Sequence, residues 1–150
     1  MGSATPIVIG SDHAGFALKE FVKEYLTALH LNVEDCGTYG EDSVDYPDFG
    51  IKVAEKVSSG EFKRGILICG TGLGMSMVAN RFKSVRAALC NDLFAAIMSR
   101  RHNDANILVM GGRVIGTELA KEIVRVWLET AFEGDRHKKR IEKFDTIQEN

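Results

Sequence analysis

The chain has 150 residues, 45% of them hydrophobic and 27% charged, with a net charge of −2 and 3 cysteines. That length suits one domain with a core of its own, and the near-neutral charge argues against a nucleic-acid partner, which calls for a basic face. No apolar run approaches the ~18 residues of a membrane span, and an odd cysteine count without close pairing points to reduced thiols in the cytoplasm.

Residues 1–150 read as a single domain with no linker, since only 2 prolines and no low-complexity tract interrupt it. Met1 to Pro6 lacks the charged and apolar regions of a signal peptide and is expected to be flexible or a cloning remnant. Pro6 to Gly10 is a short β-rich strand leading into Ser11-Asp12-His13-Ala14-Gly15. Leu18, Phe21, Val22, Tyr25, Leu26 and Leu29 then recur at the spacing of one buried helix face. Asn32 to Cys36 is a weaker strand, and Gly37 to Pro47 a polar loop that holds Asp45 and Tyr46. The next helix sets Phe49, Val53, Ala54 and Val57 on one side and stops near Gly60. Gly65 to Ile68 is a third strand, which ends at Cys69 and passes through three glycines into a helix reaching Asn80. Val85 to Cys90 is a fourth strand, with Asp92 placed to cap a helix that runs to about Arg101. Ile107 to Met110 is a fifth strand, ending at Gly111-Gly112-Arg113. Leu119, Ile123 and Trp127 mark another amphipathic helix. The polar segment after Ala131 predicts a last short helix outside the sheet.

Strands alternating with helices at this spacing imply right-handed βαβ units. The expected fold is α/β: a Rossmann-like three-layer sandwich with a five-stranded parallel sheet and a C-terminal helical tail. Ligands in such sheets bind beyond the carboxyl ends of the strands. The loops at that edge carry Asp12 and His13, Asp45 and Tyr46, and Cys69 to Ser76, with Arg113 beside them.

The stretch Cys69-Gly70-Thr71-Gly72-Leu73-Gly74-Met75-Ser76 combines a thiol, closely spaced glycines and a helix start. Glycines let backbone N–H groups approach a ligand, and a helix start adds partial positive charge. A thiolate is favoured in that setting. Met75 stands where the third glycine of a dinucleotide fingerprint belongs, and no phosphate-loop motif occurs, so a nucleotide-dependent redox enzyme is poorly supported. Each group also has a structural reading. Cys69 could pack as a small apolar residue, as is expected of Cys36 and Cys90; Asp12 could cap the first helix; Thr71 and Ser76 could satisfy backbone groups. His102 falls between a helix and the following strand, at the amino edge opposite the pocket, so a catalytic role would require it to serve a neighbouring subunit. Arg136 and Arg140, four apart, share one helix face, either as a solvated tail or as a clamp for a phosphate monoester.

Five segments carry a family resemblance: Gly10-Ser11-Asp12-His13-Ala14-Gly15-Phe16, Asp45-Tyr46-Pro47, Ile68 to Gly74, Arg101-His102-Asn103-Asp104-Ala105-Asn106 and Gly134-Asp135-Arg136-His137. In this order, from about Ile7 to Phe144, they closely resemble type B ribose-5-phosphate isomerase, whose family includes galactose-6-phosphate and allose-6-phosphate isomerases. The resemblance implies an aldose–ketose isomerase of the pentose phosphate pathway that acts on a phosphorylated sugar without metal or cofactor. It also implies a homodimer, sometimes paired into a tetramer, with shared active sites. Cys69 matches the base that moves a proton between C2 and C1, Thr71 a hydroxyl that assists, and His102 the residue that opens the sugar ring, given with Asn103 by the partner subunit. Gly70, Gly72 and Gly74 match the cradle for the enediolate oxygen, Arg113, Arg136 and Arg140 the phosphate contacts with His13 and His137 nearby, Asp12 a hydroxyl contact, and Tyr46 a pocket residue. Some members place a glutamate where this chain has Met75 or Ser76, so it resembles the cysteine branch. A hexose 6-phosphate isomerase and a non-catalytic sugar-phosphate binding module are the alternatives.

Overall fold

A computed structural model describes residues 5–149, and side chains as far as Ile147. Of the six N-terminal residues expected to be flexible, 1–4 lie outside the described residues. The elements run β1 (Ile7–Ser11), α1 (Phe16–Ala28), β2 (Val33–Asp35), α2 (Tyr46–Ser58), β3 (Arg64–Cys69), α3 (Leu73–Ala79), β4 (Ala87–Leu89), α4 (Leu93–Arg101), β5 (Ile107–Gly111), α5 (Thr117–Glu129) and α6 (Arg136–Asp145), with a closing 3-10 turn, Thr146–Glu149.

All five strands are parallel, in the order β2-β1-β3-β5-β4. Alternation along the central strands builds the three layers, because successive strand residues face opposite sides. Ile7, Ile9, Ile66, Ile68, Leu108 and Met110 pack against Leu18, Val22 and Leu26 of α1, Ala96 of α4 and Ile123 and Trp127 of α5. Val8, Leu67, Cys69, Ile107 and Val109 pack on the other side against Val53, Ala54 and Val57 of α2 and Met75 and Ala79 of α3. The expected α/β sandwich with its C-terminal helix is what forms.

Several boundaries differ from the sequence expectation for local reasons. The loop expected to run to Pro47 gives way to α2 at Tyr46, with Asp45 at the N-cap, because proline fits the first helical turn, where its missing N–H is no loss. β4 shrinks to three residues between two asparagines. Asn80 accepts the Ala87 N–H and donates to the Ala87 carbonyl, and Asn106 accepts the Arg86 N–H. Leu29 and Leu119 were expected on buried faces, but they are 44% and 36% exposed, Leu29 being the C-cap beyond the last turn of α1. Lys19, by contrast, is wholly buried, its ammonium 2.6 Å from Asp35 at the end of β2.

Candidate active site

The strand order reverses direction at β1, whose neighbours are β2 on one side and β3 on the other, so the loops after β1 and β3 flank a topological switch point. Open parallel sheets bind ligands in that crevice. The β1 loop supplies Asp12 and His13, and the β3 loop supplies Cys69 to Gly74. Asp12 is buried, and its Oδ1 accepts the Gly15 N–H at 3.0 Å, a turn just before α1 rather than the helix cap itself, a position held by Gly15. His13 Nδ1 accepts the Val44 N–H at 3.1 Å, which leaves Nε2 as the proton-bearing nitrogen of the neutral ring.

Cys69 ends β3 with its side chain on the α2–α3 side, and its Sγ accepts the Gly72 N–H at 3.2 Å. Gly72 is the α3 N-cap, with φ of 89°, a left-handed conformation that a side chain disfavours. The Leu73 N–H goes to Thr71 Oγ1 at 3.2 Å, and Ser76 Oγ donates to the Leu73 carbonyl at 2.8 Å, so both hydroxyls serve the backbone. Among the described residues the Gly74 and Met75 N–H groups have no acceptor in the chain. The cradle donors available to a ligand therefore include those two, while the N–H of Gly72 is spent on the thiol. Burial raises the Cys36 thiol pKa and pushes that of Cys90 up to about 11.

Close backbone approaches lock the loops together. A Cβ on Gly15 would stand 2.6 Å from the Ile68 carbonyl oxygen, and one on Gly111 2.6 Å from that of Thr71. Arg113 lies beside Gly70, its N–H donating to the Gly70 carbonyl at 3.0 Å. Tyr46 lies against Gly74, with its hydroxyl 3.0 Å from where a Gly74 Cβ would stand. The sequence reading passed over Asn91, which accepts the Gly111 N–H at 2.9 Å and donates to the Thr71 carbonyl at 3.3 Å. An asparagine just after a strand and before a cap was the available signal. Asp12, His13, Tyr46, Cys69 to Ser76 and Arg113 thus share the carboxyl rim.

The remaining candidates gather elsewhere. His102 is the C-cap of α4, at the amino edge, with Asn103 next to it. Its ring stacks on His137 of α6, with centroids 4.1 Å apart and planes 11° from parallel. Arg136 and Arg140 are exposed on the same helix, so His137 lies with His102 and not beside His13 within one chain. Burial, together with the charges of His102 and Arg136, lowers the pKa of His137. The five residues of β5, at ~3.3 Å each, put on the order of 15 Å between the two edges. Arg113, Arg136 and Arg140 have no ion-pair partner among the described residues, whereas Arg86 and Arg100 share Asp104. A concavity of about 570 Å³ lined by Arg64, Arg86, Arg100 and Asn106 also lies at the amino edge and holds none of these candidates.

Residues 7–144 match the sequence profile of the family described as Ribose/Galactose Isomerase. The chain belongs to the ribose/galactose isomerase family. It is 51% identical to a putative sugar phosphate isomerase of Bacillus subtilis over 95% of this chain and 97% of that one. It is 45% identical to ribose-5-phosphate isomerase B of Escherichia coli, covering 95% of this chain and 96% of that one. Among solved structures, Clostridium thermocellum ribose-5-phosphate isomerase B superposes with a TM-score of 0.94 at 53% identity, covering 96% of this chain and 97% of that one. Membership of this isomerase family accounts for the fold and for all five sequence segments, since each lies within the matched residues. It makes the protein a sugar-phosphate isomerase in kind.

Proposed function

We propose that the protein interconverts D-ribose 5-phosphate and D-ribulose 5-phosphate by proton transfer through an enediolate. The observation that carries this reading is Cys69, whose sulfur accepts the Gly72 N–H at the switch point while Asp12, Thr71 and Arg113, which has no ion pair among the described residues, share its rim. A hydrogen bond to sulfur stabilises the thiolate, the form that acts as a base. The thiolate takes the C2 proton of the open-chain aldose, and the electron pair left on carbon moves to the carbonyl oxygen. The thiol returns the proton at C1, and Thr71 Oγ1 carries the hydroxyl proton between O2 and O1. Developing negative charge on oxygen falls to the uncommitted N–H groups of Gly74 and Met75, a kind of stabilisation worth ~3–4 kcal/mol per donor.

The reading also calls for a homodimer. His102, Asn103, Arg136, His137 and Arg140 are about a strand length away from Cys69 in one chain, so they serve the site of a partner subunit. There His102 opens the furanose ring, and Arg136 and Arg140 join Arg113 and His13 on the phosphate. Free guanidinium groups suit a phosphate dianion, which they hold with paired donors. Tyr46 forms a wall of the pocket, and Asp12 contacts sugar hydroxyls. Three unpaired thiols fit a cytoplasmic location.

The test is isomerisation of ribose 5-phosphate by EDTA-treated protein, with galactose 6-phosphate and allose 6-phosphate in parallel. Pentose turnover that survives EDTA and disappears in Cys69→Ala supports the proposal. Near-normal turnover in Cys69→Ala removes the thiol from the mechanism. Preference for a hexose would favour the second reading, which the galactose branch of the family motivates.

A further inference from the structure

His102 at the end of α4 and the pair Glu133 and His137, four residues apart around the start of α6, converge at the amino edge. His102 caps α4, His137 is the second residue of α6, and Glu133 lies between α5 and α6 with its N–H donating to the Arg101 carbonyl at 3.0 Å. Both imidazole Nε2 atoms address the same carboxylate oxygen, Glu133 Oε1, at 3.9 Å from His102 and 3.4 Å from His137. One donor atom from each residue falls within a set no wider than 4.8 Å. His137 is only 4% exposed, yet its Nε2 makes no hydrogen bond. Buried polar atoms are nearly always partnered, and this nitrogen, 3.4 Å from a carboxylate oxygen without a hydrogen bond to it, is placed to take a ligand.

Two imidazoles and one carboxylate form a donor set for Zn²⁺, Co²⁺ or Ni²⁺, whereas Mg²⁺ and Ca²⁺ take mainly oxygen. With metal–donor bonds of ~2.0–2.1 Å, tetrahedral donors stand roughly 3.3 Å apart. The Glu133–His137 edge is already close to that. Imidazole lone pairs lie in the ring plane, so the stacked rings must splay for both to reach one ion. His102, whose side chain is 40% exposed at a helix end, has room to turn, as does the half-exposed Glu133; His137 is fixed by its burial. Arg101 competes for the carboxylate at 3.9 Å, and Arg136 adds positive charge, so binding is reversible and weaker than at a structural zinc site.

We propose that His102, Glu133 and His137 form an inhibitory site for a late first-row divalent cation, which occupies the His102 nitrogen needed to open the sugar ring. The inhibitory half rests on the role given to His102 above; the binding half does not. ZnCl₂ titrated into EDTA-stripped, desalted protein is followed by calorimetry, and CoCl₂ by its visible absorption, each beside a turnover assay. One ion per chain is expected, with tetrahedral cobalt bands and loss of turnover that EDTA restores. Glu133→Gln should keep metal-free turnover and weaken Zn²⁺ binding and inhibition at least tenfold, while Cys69→Ser should keep the binding. Zn²⁺ binding unchanged in Glu133→Gln, or lost in Cys69→Ser, would overturn the site. Binding that depends on Glu133 but leaves turnover untouched would overturn the inhibitory role and the task assigned to His102, not the metal site.

Discussion

The buried Lys19–Asp35 pair gives a sharp stability prediction through Asp35→Asn. Lys19 Nζ is 2.6 Å from Asp35 Oδ2 with its side chain wholly buried, while Lys23 shares the same oxygen at 2.7 Å. The amide substitution removes the anion and strands the Lys19 charge. Breaking a buried pair from one side costs ~3–5 kcal/mol. Glu20, 3.2 Å from Lys19 but 43% exposed, and the Phe16 and Tyr39 rings, 5.3 and 5.5 Å away, offset part of that. A net loss of about 2–4 kcal/mol is expected, or roughly 5–15 °C in Tm for a chain of this size. Lys19→Met should cost less, since Asp35 keeps Lys23 and the Gly37 N–H. Burial pushes the Asp35 carboxyl up, but the hydrogen bonds from Lys19, Lys23 and Gly37 outweigh it and hold the pKa below the ordinary value. A folded-state pKa below the unfolded one means the contribution is present above the ordinary carboxylate range and is lost as pH falls through the depressed value. Wild type should therefore lose stability more steeply than Asp35→Asn on acidification below about pH 4. Urea unfolding at a series of pH values reads both effects. Parallel pH curves, or a larger loss in Lys19→Met, would refute the reasoning.

Arg136→Ala should raise KM for ribose 5-phosphate about tenfold or more while changing kcat far less, because a charged hydrogen bond to a remote phosphate is worth ~1.5–3 kcal/mol; an unchanged KM would return the helix to a solvated tail. Gly72→Ala should destabilise by about 2–4 kcal/mol, from left-handed strain plus contact with Leu89 and Met110, and should lower kcat by moving the N–H off Cys69. Denaturation and steady-state kinetics on the one variant check both, and wild-type kcat would separate Gly72 from the thiol.

Most of the fold was legible because the apolar run of β3 and the helix periodicities are strong and local. Boundaries failed where side chains reach across the chain, as when Asn80 and Asn106 cut β4 short. Lys19 was invisible because its burial depends on an acid sixteen residues away on another element. At the site, Cys69 with its glycines stood out from spacing alone, whereas spacing left Arg136 and Arg140 open between a solvated tail and a phosphate clamp. Asn91 offered only its place between a strand and a cap, since its two hydrogen bonds join loops far apart in sequence. The diversion of the Gly72 N–H to sulfur is likewise a matter of three-dimensional loop shape. That His102 sits away from the pocket edge followed from chain order alone, because the end of a helix between parallel strands must fall at the amino edge.

The central claim is that each active site draws Cys69 from one subunit and His102 from another, and subunit complementation tests it most directly. Cys69→Ala and His102→Ala, each expected to be nearly inactive alone, are co-expressed with different tags. Random pairing makes half the dimers mixed, each with one intact site of two, so recovery to about a quarter of wild-type turnover is predicted, all of it in the doubly tagged fraction. No recovery in purified mixed dimers of two individually inactive variants would contradict the shared site and place all the chemistry on one chain.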